Sequence, residues 1–102
     1  MQYYRQVVRL LKEKCPADMP VKVRRVKVPD DRFGDCGQMD DHYIIRICRN
    51  LKEEQAIDIL IHEWAHAISW EKCNSEDHCN EWGKAYSRVY RIFVKDILNR
   101  AS

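Results

Sequence analysis

The chain has 102 residues, of which 45% are hydrophobic and 33% are charged, and its formal net charge is +2. A chain of this length and composition is predicted to fold as one domain, residues 1–102, with a small hydrophobic core, and it is not of the intrinsically disordered class. The charge is too small to indicate nucleic-acid binding, and the short basic cluster of Arg24, Arg25 and Lys27 gives such a partner only weak support. No segment is apolar for long enough to cross a bilayer or to act as a signal peptide, so no membrane association is expected.

The first elements are a helix and a strand. Apolar residues recur with helical spacing over residues 3–15, and Pro16 follows where a helix should end. The stretch VKVRRVKV, residues 21–28, alternates as a strand does. Its phase slips at the adjacent Arg24 and Arg25, which predicts a β-bulge that keeps the four valines on one face.

Two further strands and a helix are expected next. A short strand is predicted from Phe33 to Met39, and HYIIRIC, residues 42–48, is the strongest strand pattern. Asn50 followed by Glu53 resembles a capping box and predicts the start of a helix that runs to about Trp70.

A last helix follows a polar break in the sequence. Ser75, with Glu76 and Asp77 after it, predicts the N-terminus of this helix, because acidic groups favour the positive end of the helix dipole. One apolar stripe marks its length: Trp82, Tyr86, Val89, Phe93 and Ile97. Strands from one part of the chain and helices from another predict an α+β domain with a small sheet of two or three strands, antiparallel or mixed.

The five cysteines are Cys15, Cys36, Cys48, Cys73 and Cys79. Their number is odd and no two of them form a C-x-x-C pair, so they do not predict a zinc ribbon. The simplest interpretation is a set of free thiols in the reducing cytoplasm. A disulfide between Cys73 and Cys79 is the alternative and would go with export.

The segment DILIHEWAHAISW, residues 58–70, contains an H-E-x-x-H motif. Residues four apart lie on one helix face, so His62 and His66 can direct two imidazoles at one cation. Glu63 lies about 100° round the helix axis from His62, where it can act beside the metal as a general base without ligating it. The alternative is a helix with hydrogen-bonded core histidines. We favour the metal, because a buried His–Glu–His turn without one would carry a large desolvation cost.

A catalytic zinc needs a third protein ligand and an open fourth position. The metzincin spacing is excluded, because Ser69 and Lys72 stand where that class has Gly and His. His78 is the candidate third ligand, because two helices joined by a short connection pack antiparallel and bring it towards the motif. His42, at the start of a strand, is expected to be a surface residue.

These two stretches together resemble a known family. HEWAHAISW followed by DHCNEWGKAYSRVY is similar to the SprT-like zinc metallopeptidases, whose third ligand is a His in an HGPEW-like motif at the start of the next helix. His78, Glu81 and Trp82 match that motif, whereas Cys79 and Asn80 replace its Gly and Pro and put a thiol next to His78. The resemblance covers about residues 36–92. It implies a minimal zincin fold, with an active-site helix and a C-terminal ligand helix, and it implies peptide-bond hydrolysis.

Several neighbouring residues have open roles. Glu76, Asp77 and Glu81 compensate a helix dipole in the simplest interpretation, or orient a ligand histidine in the alternative. A gluzincin-like site would use Glu81 as the third ligand and not His78. Tyr86 or Tyr90 could donate a hydrogen bond to the developing oxyanion, and their spacing does not choose between them.

Three packing and cleft predictions complete the site. Trp82 is expected to pack on the active-site helix, and Trp64 and Trp70 are expected in the core. FGDCGQM, residues 33–39, is the predicted cleft rim, because substrates of zincins add along a sheet edge.

The sequence therefore predicts a cytoplasmic zinc metalloendopeptidase that binds one Zn²⁺ through His62, His66 and His78 and uses Glu63 as general base on a peptide or protein substrate. Two alternatives stay open. One is a zinc-containing module that binds a peptide or nucleic acid without turnover, and the other is a zinc hydrolase that acts on a different substrate class.

Overall fold

The computed structural model describes residues 2–27, 32–73 and 78–98, and for Gln2, Ile97 and Leu98 it describes the backbone alone. Helix α1 spans Gln2–Lys14, and three strands follow, β1 (Val21–Val26), β2 (Gly34–Gln38) and β3 (Tyr43–Cys48). Helices α2 (Glu53–Cys73) and α3 (Asn80–Phe93) complete the fold, and a π-helical turn, Val94–Leu98, extends α3. The described part of the chain is thus an α+β domain with three helices and a small mixed sheet, which confirms the predicted fold class.

Helix α1 is amphipathic and packs on α2 and α3. Its buried residues include Tyr4, Val7 and Leu11, which share one face because they are three and four positions apart. The backbone N–H of Tyr4 lies in the first turn, where it has no partner within the helix. It donates to Glu53 Oε2 over 3.1 Å, so the first turn of α2 supports the start of α1.

The sheet has the strand order β1-β3-β2, with β1 parallel and β2 antiparallel to β3. The pairing of β1 with β3 runs without interruption from Val21↔Tyr43 to Val26↔Cys48. The predicted bulge is therefore wrong. Strand alternation places Val21 and Val23 on one face with Arg25, and Val26 lies on the other face.

Arg25, the second residue of the adjacent arginine pair, lies within β1 and is engaged with the chain that follows β3. Its Nη2 donates to the carbonyl oxygens of Cys48, Arg49 and Leu51 at 3.1–3.2 Å, and its guanidinium lies 5.1 Å from the centre of the Tyr4 ring. Hydrogen bonds to three carbonyls satisfy a charged group that is half-buried. One of the three members of the predicted basic cluster is therefore engaged in the fold.

Helix α2 begins at Glu53, so the predicted N-cap at Asn50 is wrong. The Lys52 carbonyl accepts the first helical hydrogen bond, from Ala56 N at 2.8 Å, and the Lys52 N–H donates to Gln55 Oε1 at 3.3 Å. A side chain three residues into the helix thus bonds back to the N-cap, as in a capping box displaced by two residues. At the other end α2 continues beyond Trp70 to Cys73.

Helix α2 forms the centre of the core. Trp64 has no exposed surface, and its Nε1 donates to the Cys15 carbonyl at 2.8 Å. Trp70 is half-buried, with its ring centre 5.8 Å from that of Tyr43. The core cluster takes its members from the three helices, from β1 and β3 and from Cys15 after α1: Tyr4, Val7, Leu11, Cys15, Val21, Tyr43, Ile45, Ile47, Ala56, Ile57, Leu60, Ile61, Trp64, Ala67, Val89 and Phe93.

Helix α3 runs antiparallel to α2. Trp82, near the start of α3, contacts His62 and His66 on α2. Tyr86 and Tyr90, one and two turns later, line a cavity with Asp58, which precedes both histidines in the sequence. Of the predicted stripe, Val89 and Phe93 are buried, and the side chain of Ile97 lies outside the described residues. The helix begins at Asn80, and the predicted N-terminus at residues 75–77 lies outside the described ranges. Within those ranges, none of the helices has the length and apolar character needed to cross a membrane.

Candidate metal centre

Helix geometry alone brings the first two histidines together. His62 and His66 are one turn apart on α2, both are half-buried, and their ring centres are 5.0 Å apart. The helix here is apolar on most sides and has buried residues before and after the pair. The two imidazoles are therefore held on a rigid, well-packed element.

His78 completes a cluster of three. Its Nε2 lies 3.2 Å from Nε2 of His62, and its ring centre is 4.8 Å from that of His66. One nitrogen from each of the three rings lies within 4.8 Å of the others. Two nitrogens that bind one tetrahedral zinc at about 2.0–2.1 Å are roughly 3.3–3.5 Å apart, so the His62–His78 spacing suits a shared cation. The three histidines can bind a metal ion.

His78 has an unusual backbone. Its φ of 52° makes it the one non-glycine residue with positive φ in the described part of the chain. Histidine enters this left-handed region more often than most residues do, but the conformation costs on the order of 1–3 kcal/mol and persists when the surroundings hold it. Cys79 follows in extended conformation as the N-cap of α3.

Cys79 is joined to Cys73 by a disulfide, with the two Cα atoms 5.6 Å apart. The prediction of free thiols is therefore wrong for these two residues, and the alternative pairing is the one observed. Cys15, Cys36 and Cys48 are free. The disulfide also means that no Cys79 thiol is available beside His78.

Trp82 covers one side of the cluster. Its ring centre is 5.0 Å from that of His62, 5.5 Å from His66 and 4.6 Å from His78. Its Nε1 donates to the His62 carbonyl at 3.3 Å, so it packs on the motif helix as predicted. The spacing of four residues from His78 predicts this packing, but it does not predict the contact with all three histidine rings.

Glu63 lies in the same cavity as the histidines. The cavity has a volume of about 400 Å³, and Glu63 is 8% exposed. Its lining comes from the loop before β2, from β2 itself and from the cluster: Arg32, Gly34, Asp35, Cys36, His62, Glu63, His66 and His78. The segment predicted as the cleft rim therefore faces the histidines, and Glu63 shares their solvent-accessible space without being one of the clustered nitrogen donors.

Strand β2 adds a thiol and an ion pair to this cavity. Burial, together with the negative charges of Glu63 and Asp35, raises the pKa of Cys36 to about 12, so its side chain is a neutral thiol near Glu63. Asp35 accepts two hydrogen bonds from the Arg46 guanidinium, one of them from Nε at 2.7 Å. No sequence pattern predicts this ion pair, because the two residues meet through the antiparallel register.

Gly34 allows β2 to approach α2. A Cβ built there would lie 2.7 Å from both the Arg46 carbonyl oxygen and Ile59 Cγ2. No L-residue with a side chain fits this position without a shift of backbone. The close approach keeps the rim segment against the helix that carries the motif.

A second cavity lies beside His62. It has a volume of about 500 Å³ and is lined by Asp58, Ile59, His62, Tyr86 and Tyr90. Both candidate oxyanion donors thus face a space that adjoins one of the clustered histidines. Tyr90 is the more exposed of the two, at 42%.

The remaining candidates lie apart from the cluster. Glu81, in the first turn of α3, pairs with Lys84 at 3.4 Å and is not one of the clustered groups. His42 Nδ1 lies 2.7 Å from Asp41 Oδ1, and this hydrogen bond lowers the pKa of Asp41. Glu76 and Asp77 lie outside the described residues.

Comparison with known proteins gives no assignment: no family model matches the chain, and neither a curated protein nor a solved structure matches it. The function must therefore be argued from the geometry of this site.

Proposed function

We propose that this protein is a zinc-dependent metallopeptidase of the minimal H-E-x-x-H type, with His62, His66 and His78 as the metal ligands and Glu63 as general base. The observation that carries the proposal is the combination of three convergent imidazoles with a carboxylate that lines the same open cavity and is not part of the donor set. A structural zinc site is normally closed by four protein ligands. Three ligands and an accessible cavity leave a position for water or substrate.

Zinc is the metal that best suits this donor set. Three neutral imidazoles without a carboxylate or thiolate ligand are typical of zinc and also bind other divalent transition metals, whereas calcium and magnesium prefer oxygen. When bound, zinc supplies a Lewis acid that polarises a carbonyl oxygen and brings the pKa of a coordinated water near neutrality. The choice of zinc over other transition metals is part of the proposal.

The protein's own groups supply the proton transfers. Glu63 accepts a proton from the attacking water and then returns it to the amine nitrogen of the leaving group. Its position in the first turn after His62 puts it beside the metal ligands, and its low exposure limits competing hydrogen bonds to bulk water. Tyr86 and Tyr90 are the candidates to donate a hydrogen bond to the carbonyl oxygen as it gains charge.

The position of β2 at the edge of the sheet supports a peptide substrate. Strand β2 is an edge strand of the described sheet, and it lines the cavity opposite the histidines. An extended peptide can add to such an edge through main-chain hydrogen bonds, with its scissile bond over the cluster. This supports a peptide or protein substrate. The nucleic-acid partner has less support, because Arg25 of the basic cluster is engaged with three backbone carbonyls.

The cytoplasmic location stays a prediction. This prediction depends on free thiols, and the Cys73–Cys79 disulfide weakens it, because disulfides persist mainly in oxidising compartments.

The test is a comparison of the parent protein with Glu63→Gln. Both are loaded with zinc, their metal content is measured by mass spectrometry, and both are incubated with a diverse peptide library with and without a chelator. Gln is nearly isosteric with Glu and cannot take the proton at neutral pH, so we expect equal zinc content and hydrolysis reduced by roughly 100- to 10,000-fold.

Other outcomes separate the alternatives. Equal cleavage by both proteins would exclude Glu63 as the base. Zinc binding without cleavage by the parent would favour a binding module, and cleavage of esters or other bonds but not peptides would favour a different zinc hydrolase.

A further inference from the structure

We propose that the Cys73–Cys79 disulfide positions the third metal ligand, so that the affinity of the centre for its metal depends on the redox state of this cysteine pair. The inference rests on the proposed metal site, since it concerns how His78 is held. It assigns Cys73 and Cys79 a role as positioning residues, because they act through His78 and not on the metal.

The disulfide lies at the junction between α2 and α3. Cys73 is the last residue of α2, and Cys79 is the N-cap of α3. The bond therefore ties the end of α2, the helix that carries His62 and His66, to the start of α3, directly after His78. His78 is the residue next to Cys79, inside the ring that the disulfide closes, at a sequence separation of six residues.

The backbone of His78 is in a left-handed conformation, with φ of 52°. A left-handed conformation at a residue with a side chain is unfavourable and must be held by its surroundings. His78 is exposed, so burial does not hold it, whereas His62 and His66 are fixed by a regular helix. Release of the cross-link would let His78 return to negative φ and move its imidazole away from the other two.

Cys79 stands at the N-cap of α3 without capping the helix through its side chain. N-cap residues commonly accept a hydrogen bond through a side-chain oxygen, but Cys79 makes no side-chain cap bond to α3. Its side chain instead forms the covalent link back to α2. Cys79 therefore links the start of α3 covalently to the end of α2.

Reduction would be a two-electron exchange with an external dithiol. A thiolate of the reductant attacks one sulfur of the disulfide and releases the other cysteine as a thiolate. The reductant's second thiolate then attacks the reductant sulfur of the mixed disulfide and releases the remaining cysteine. Cys73 and Cys79 leave the exchange as two thiols with two electrons and two protons gained, and the reductant leaves as its own disulfide.

The effect should be local. Helix α2 is anchored by Leu60, Ile61 and Trp64, and α3 is anchored by Val89 and Phe93, all of them in the core. Loss of the cross-link should leave this packing in place and weaken the metal site. Loss of a group that orients a ligand typically costs 10- to 100-fold in metal affinity, and we expect a loss of roughly that size here.

The experiment is a cycle of four proteins: the oxidised parent, C73S/C79S, His78→Ala and the triple variant. Zinc affinity is measured by competition with a chromogenic chelator. We expect C73S/C79S to lose roughly 10- to 100-fold in affinity when His78 is present, and to change affinity little in the His78→Ala background. A purely structural disulfide would lower both values equally, and that result would overturn the proposal, as would an unchanged affinity in C73S/C79S.

Two controls complete the test. Circular dichroism of metal-free C73S/C79S verifies that it folds, and Cys48→Ser, which leaves the disulfide intact, should bind zinc as the parent does. If C73S/C79S does not fold, the parent is compared before and after reduction with a dithiol, with Co²⁺ as the metal. A weaker site without a thiolate-to-cobalt band supports the proposal, and an unchanged or tighter site overturns it. Failure of the oxidised parent to bind any metal would instead refute the proposed function.

Discussion

The two regions that form the metal centre are built in different ways. On α2, His62, Glu63 and His66 follow one another within a single turn of a buried helix, and their relative positions follow from regular backbone geometry. Before α3, His78 lies in a short connection, exposed, with a left-handed backbone and a disulfide to its neighbour. One region is held by its secondary structure, and the other by ring contacts and a covalent bond.

The two regions should differ in how readily their ligands leave the metal centre. In the helix, the backbone hydrogen bonds and the packing of Leu60, Ile61 and Trp64 hold the ligands whether or not metal is bound. In the connection, His78 depends on Trp82 and on the disulfide, so it should be the first ligand to leave. Local openings of this kind occur where few buried contacts restrain the chain. The predictions below test this contrast between α2 and the connection.

The largest effect is expected from His78→Ala. If the connection supplies a true third ligand, zinc affinity should fall by more than the roughly 10- to 100-fold that loss of a ligand-orienting group costs. Chelator competition measures the change. Glu81→Ala and His42→Ala are the controls, because Glu81 pairs with Lys84 and His42 pairs with Asp41 away from the cluster. A larger loss with Glu81→Ala would show a gluzincin-like ligand set.

Removal of the metal should come next in size. Binding to the folded state alone stabilises by about 2.7 kcal/mol when free zinc is 100 times the Kd. For a domain of this size that corresponds to a Tm higher by roughly 10–20 °C than that of the chelated protein. Calorimetry with and without a chelator measures it. His78→Ala should show a much smaller shift, and an equal shift in this variant would mean that the two residues on α2 bind the metal without the connection.

Gly34→Ala tests the approach of β2 to α2. The new Cβ would meet a backbone oxygen and the Ile59 side chain at 2.7 Å, and such overpacking costs roughly 1–3 kcal/mol of unfolding free energy. Urea unfolding measures the loss. Gly37→Ala is a matched control in the same strand, since its Cβ would lie 3.8 Å from Ile44 in ordinary contact. Equal stability of the two variants would show that β2 does not lie against α2 in this way.

The smallest effect is expected from Trp82→Phe. Phenylalanine keeps an aromatic ring beside the three histidines but removes the hydrogen bond from Nε1 to the His62 carbonyl. The expected loss is about 0.5–1.5 kcal/mol in unfolding free energy, with a smaller change in zinc affinity than His78→Ala causes. Tyr90→Phe, on an exposed ring of the same helix, serves as the reference. Loss of zinc binding in Trp82→Phe would show that the indole of Trp82, and not the disulfide, is the main group that holds His78 at the metal centre.

The patterns that were predictable are local ones. The period of apolar residues gave α1 and the strands to within one or two residues, and the H-E-x-x-H spacing gave the pair on α2, because periodicity and helix geometry act over a few residues. Two predictions of local detail failed, and both involve a choice among nearby partners. Arg25 turned inward to three carbonyls in place of a bulge, and Gln55 capped α2 at Lys52 in place of Asn50.

The convergence of His78 on α2 lies between these two cases. Sequence spacing and the antiparallel packing of two closely joined helices predict that His78 lies near the motif. They do not predict its left-handed backbone or the contacts of Trp82 with three histidine rings. The amino-acid order therefore sufficed for the helix-borne half of the site, whose geometry follows from hydrogen bonds between residues four apart. The ion pair of Asp35 with Arg46 and the shared cavity join residues from different elements. Their formation depends on how the packed core sets those elements side by side, which no local pattern encodes.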